Sequence, residues 1–70
     1  MGVQALSVYR FYRIDARDRL QPAEVIDADN DAAAVAVAAR LMTPGLGGEL
    51  WHGARLVGRF SRLGFYTAAD

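Results

Sequence analysis

Cysteine is absent from this seventy-residue chain. Disulfides, thiolate metal sites and thiol nucleophiles are excluded with it. Lysine is absent too, and all eight basic residues are Arg. Eight acids balance them, so the formal net charge is zero. Proteins that bind by neutralising phosphate normally carry a basic excess, so generic nucleic-acid binding is disfavoured. Long apolar runs are missing as well. None reaches the roughly 18 residues of a membrane span. Met1 to Ser7 have neither a basic start nor a long apolar stretch of the kind that directs secretion. Met1-Gly2 opens like a myristoylation signal, but Leu6 stands where Ser or Thr is needed. A cytoplasmic protein with no membrane partner is expected.

What remains is apolar and small. The length allows one domain, residues 1–70, and excludes a cleft between two lobes. A chain this short buries only about 60% of its unfolded surface, so its core is marginal. With disulfides excluded, the remaining aids are tight packing or association with a second copy. An apolar fraction of 53% argues against disorder. Thirteen Ala, seven Gly and an all-Arg basic set fit a GC-rich, bacterial coding sequence.

Leu6 to Ile14 is rich in Val, Tyr, Phe and Ile and reads as a strand. Val8, Arg10, Tyr12 and Ile14 share one face, while Tyr9, Phe11 and Arg13 share the other. Both faces carry large apolar groups, whereas a strand with one wet face alternates more cleanly. The polar run Asp15 to Arg19 is a turn, and Leu20 to Ala28 a second strand. Its secure part is Ala23 to Asp27, because Pro22 cannot donate to a ladder. Asp29-Asn30-Asp31 supplies helix-capping chemistry, and Ala32 to Met42 follows without Gly or Pro until Thr43-Pro44-Gly45. Ala34, Val37, Ala38, Leu41 and Met42 form one helix face, and Ala32, Val35, Ala36, Ala39 and Arg40 the other.

Gly45 to Gly48 reads as a flexible loop. Glu49-Leu50-Trp51 and Arg55 to Phe60 are two more strands around His52-Gly53-Ala54. A two-residue loop at His52-Gly53 puts Trp51 and Leu56 on one face; a three-residue loop at 52–54 pairs Trp51 with Arg55. The tail, 61–70, holds Leu63, Phe65 and Tyr66 and is expected to pack somewhere. The expected fold is α+β: a single antiparallel sheet of about four strands, β-β-α-β-β, with one helix packed on one face. A helix of about a dozen residues, roughly 18 Å long, is too small to cover such a sheet. The other face is left for a second copy or a partner.

The stretches Tyr9 to Asp15, Ile26 to Ala32 and Leu50 to Val57 resemble a group of short alphaproteobacterial proteins that form a domain of unknown function. The likeness spans roughly residues 9–60, most of the chain, and its motifs are structural: a hairpin, a capped helix and a Trp-containing hairpin. The group often carries Asp where this chain has His52, so any role of His52 would be private to this protein. The resemblance implies a single bacterial domain and no particular activity.

The candidate constellations each meet a simpler account. Asp27, Asp29 and Asp31 have the spacing that opens a calcium loop. Ala32 and Ala38 stand where that loop needs Gly and Glu, so a strand end and a helix cap explain the acids instead. Tyr9 to Arg13 interleaves aromatics with Arg, as sheets that stack bases do. Core packing, with Arg stems lying over apolar surface, accounts for the same pattern. Gly45 to Gly48 lacks the strand-before-helix setting, the Lys and the hydroxyl of a phosphate loop. Ser7, Ser61 and His52 fit no nucleophile motif. Trp51 and Arg55 would stack as a cation–π pair in the three-residue hairpin.

The leading expectation is a non-catalytic, self-associating accessory or binding domain, a homodimer. The alternative is a nucleic-acid module using the Arg and aromatic sheet face. The third is a small-ligand or enzymatic site at a subunit interface, with His52 and Asp27 as markers. The interaction candidates are Arg10, Tyr12, Trp51 and Arg55. No catalytic residue, cofactor or metal ligand is assigned.

Overall fold

The computed structural model describes residues 6–69. The elements run β1 (Ser7–Ile14), β2 (Glu24–Ala28), α1 (Asp31–Leu41), β3 (Gly47–His52), β4 (Arg55–Phe60) and β5 (Tyr66–Ala68). They form an α+β fold with one antiparallel five-stranded sheet, in the order β2-β1-β3-β4-β5. The expected count of about four strands is corrected to five. The addition is Tyr66–Ala68, inside the stretch read as a tail. A turn at 61–65 reverses the chain: Ser61 N–H donates to Phe65 O at 2.8 Å, and Gly64 takes φ +90°. Three residues are too short to show an alternation, so the strand had no periodic signature.

The β1–β2 connection is an acid-centred turn. The Asp15 carboxylate accepts from the backbone N–H of Arg17 and Arg19 at 2.9 and 3.0 Å. β2 begins at Glu24, not Leu20, beyond Pro22. Leu20 makes only an isolated bridge to Ile14. Asn30 caps the helix by accepting from Ala33 N–H at 2.8 Å, which brings Asp31 into the first turn. Ala34 and Ala38 are buried, and Val37, Leu41 and Met42 pack against the same core. Ala32, Ala36, Ala39 and Arg40 face outward. A seam of alanines allows close approach to the sheet, where Phe11 and Leu50 are fully buried. Each such burial is worth about 1.5–3 kcal/mol.

Gly47 and Gly48 are the start of β3, not a flexible loop. Any Cβ on Gly48 would stand 2.5 Å from the Phe11 ring. The glycine is therefore a packing requirement of the core. The β3–β4 hairpin turns at Gly53-Ala54, with His52 paired to Arg55 and Trp51 to Leu56. Neither loop expected from the sequence is adopted, although Trp51 and Leu56 do share a face. Gly53, the first of the two turn residues, takes φ +60°, a conformation a tight two-residue hairpin needs there and glycine adopts without strain. Between Leu50 and Trp51 the register shifts, placing Val57 and Gly58 together opposite Leu50. As a result Arg55 and Val57 lie on the helix side of the sheet, and Trp51 on the other. The expected Trp51–Arg55 stack does not form.

The register gives the two faces their composition. The helix side carries Tyr9, Phe11, Ile26, Leu50 and Phe60. The open side carries Val8, Arg10, Tyr12 and Ile14 from β1, with Val25, Trp51 and Leu56 beside them. No element covers it among the described residues: Val8 is 46% and Val25 63% exposed. No helix among the described residues is long and apolar enough to cross a membrane.

Candidate functional site

Three of the four residues singled out from the sequence meet on the open face. Arg10 lies between Val25 of β2 and Trp51 of β3 in the ladder. Tyr12 pairs with Glu49, the next residue along β3 on that face. Trp51 Nε1 donates to Glu49 Oε1 at 3.1 Å, and Arg59 Nε stands 3.4 Å from Glu49 Oε2. Glu49 thus engages an indole and a guanidinium at once. The face is an apolar stripe of Val25, Trp51, Leu56 and Tyr12, crossed by Arg10 and Arg59 and by Asp27 and Glu49.

Arg55, the fourth, belongs to a separate network on the helix side. Its Nη1 and Nη2 donate to Asp31 Oδ2 and Oδ1 at 3.0 and 2.9 Å, a two-point pairing. Tyr9 Oη donates to Asp31 Oδ1 at 2.8 Å. The His52 ring stacks on Tyr9 with centroids 4.6 Å apart, and its Nδ1 lies 3.3 Å from Arg55 Nη2. Guanidinium has no acceptor, so Nδ1 accepts and the proton of the neutral ring sits on Nε2. The hydrogen bonds from Arg55 and then Tyr9 hold the Asp31 carboxyl at about 2. Burial, then the bond to Asp31, pushes the Tyr9 phenol up, and Asp31 pushes Arg55 up. All three groups keep their ordinary charge states at neutral pH, so the network is built to hold protons in place.

Sequence reading found Arg55 but not its partners. Asp31 is fully explained as a helix-capping acid, which hides its second use. The signal available was Tyr9: a tyrosine on the core side of a strand needs a partner for its hydroxyl. Asp27 and His52, the markers of a shared ligand site, lie on opposite faces of the sheet. Asp29 is exposed, and Asp31 is turned to Arg55. Among the described residues no group of three or more His, Asp or Glu is placed to hold a metal ion.

Beside the network a groove of about 440 Å³ runs between α1 and β5, with Ala32 and Val35 on one side and Val57, Tyr66 and Ala68 on the other. A second, of about 430 Å³, is lined by the loops at Met42–Gly45 and Arg62–Gly64. Both are largely apolar. Comparison with family models, curated proteins and solved structures gives no match.

Proposed function

We propose that the chain is a non-catalytic, self-associating accessory domain whose open sheet face meets the same face of a second copy. The observation that carries this reading is the open sheet face, with Val8 and Val25 exposed and Trp51 and Leu56 half-buried, on a sheet whose other face bears the only helix of the described residues. The charges on that face favour a second copy over other occupants. Glu49 already pairs with Arg59, and Arg10 and Asp27 carry opposite charges, so the face has no net charge to repel a second copy. A nucleic acid would require a basic excess there. Arg59 and the indole N–H are also already engaged by Glu49. We set this association in the cytoplasm, where a small domain without disulfides gains apolar burial by pairing.

Light scattering at micromolar concentration should give twice the 7.6 kDa of one chain. Trp51→Glu, which places an extra charge at the centre of the stripe, should return the monomer while leaving the fold intact. A wild-type monomer under these conditions overturns the proposal. Fluorescence titration with single-stranded RNA and DNA at two salt concentrations tests the main competitor. Salt-sensitive binding lost in Arg10→Ala would assign the face to nucleic acid instead.

A further inference from the structure

The two edges of the sheet are built differently. β2 follows Pro22 and carries Glu24 and Asp27. Proline and charge are the usual means by which an edge strand resists further pairing. β5, the opposite edge, has neither: Phe65-Tyr66-Thr67-Ala68-Ala69 is uncharged and contains no proline.

The bonds at its ends fix which way β5 turns its backbone groups. Ser61 N–H donates to Phe65 O, and Ala69 N–H donates to Val57 O at 3.0 Å. Hydrogen-bonded and non-bonded pairs alternate along an antiparallel ladder. Phe65, Thr67 and Ala69 therefore aim their backbone groups at β4, while Tyr66 and Ala68 aim theirs away from the sheet. Those outward N–H and C=O groups have no backbone partner among the described residues. They are spaced as a strand's partner requires.

The groove lies on the helix side of this same edge. α1 packs over β2, the far side of the sheet, and so stands back from β5. Ala32 and Val35 form one wall and Val57 and Ala68 the other, with Asp31 and Arg55 also lining it. Its volume of about 440 Å³ is within the range of ligand clefts.

We propose that the β5 edge accepts an extended peptide as a further strand, with every second peptide side chain lying in the groove. Backbone groups of Tyr66 and Ala68 supply the affinity. The alanine and valine walls select small apolar side chains. A second copy is a poorer occupant, since β5 offers only three residues. Pairing it with its own kind would bury far less than the roughly 800 Å² per partner of a stable interface. The inference does not depend on what covers the open face.

The test uses a fluorescein-labelled hexapeptide of alternating valine and threonine with the full chain. Anisotropy should show saturable binding, and amide NMR shifts should centre on Tyr66 and Ala68. Two peptides N-methylated at alternate residues separate the two peptide edges. Methylation of one set should weaken binding at least about tenfold, and of the other leave it unchanged. Ala68→Pro removes an outward N–H and spares those that bond to β4. It should weaken binding about tenfold. Should that variant not fold, the N-methylated pair decides alone. Absence of saturable binding, equal binding of the two methylated peptides, or shifts centred elsewhere each overturns the inference. Loss of self-association in Ala68→Pro overturns it as well, by assigning the edge to a second copy.

Discussion

Asp31 shows how one side chain serves two partners of unequal worth. The ion pair with Arg55 is about half exposed on both sides, 53% and 47%. Pairs of that kind contribute about 0–1 kcal/mol. Tyr9 is only 2% exposed. A buried hydroxyl left without an acceptor costs about 1–3 kcal/mol. Asp31→Ala should therefore destabilise the chain by about 1–3 kcal/mol in urea unfolding, and Arg55→Met by less than about 1. Tyr9→Phe in the Asp31→Ala background should recover most of the loss. Additive effects of the two substitutions would show that the bond does not matter. The same network sets a pH dependence. Asp31 titrates at about 2 in the folded chain against an ordinary 3.8. A depressed carboxyl stabilises fully above its ordinary value, and that contribution drains away as pH falls from about 4 toward about 2. Tyr9, raised above its ordinary 10.0, acts in the opposite sense: its contribution is present below that value and is lost as pH rises past the raised one. Melting curves of Asp31→Asn should accordingly be flatter than wild type on the acid limb.

Elements were legible in proportion to their local chemistry. The helix was readable because its cap, its unbroken alanine-rich run and its Pro-Gly stop all act within a few residues. Asn30→Ala should cost about 1 kcal/mol, read as a lower urea midpoint with unchanged slope, because Ala33 N–H loses its acceptor. β1 was readable from aromatic and β-branched alternation, and its two-faced character does correspond to a sheet with one open side. The start of β3 was hidden, since glycine in a strand is locally unfavourable and reads as loop. Its reason is tertiary: the Phe11 ring occupies the space beside Gly48, and Met42 Sδ would stand 3.1 Å from an added Cβ. Gly48→Ala should thus cost about 1–3 kcal/mol despite improving local propensity. Phe11→Leu should relieve part of that cost. β5 depends on the Ser61–Phe65 turn and on pairing with β4, neither of which a single sequence displays. The hairpin bulge at Val57-Gly58 is likewise set by packing, because Gly58 yields its side-chain space to the Tyr66 ring, whose hydroxyl donates to Val57 O.

At the scale of the molecule, the single helix packs on one face nearest β2, and no element among the described residues covers the other face. Few of the described large side chains are fully enclosed, Phe11 and Leu50 foremost. A fold with so small a sealed core gains disproportionately from pairing. If the open face joins two chains, folding and association are linked, and stability rises with protein concentration. While the chain stays mostly paired, each tenfold increase in concentration adds about 1.4 kcal/mol per dimer. Shared between two chains of this size, that raises the melting temperature by about 3–5 °C. Trp51→Glu should melt lower and at a temperature independent of concentration, because its midpoint reports one chain alone. Substitution at an outward helix position such as Ala36→Glu leaves the sheet face unaltered and should keep the wild-type concentration dependence. A wild-type midpoint that stays constant across a hundredfold range would separate stability from association and remove the physical reason for pairing.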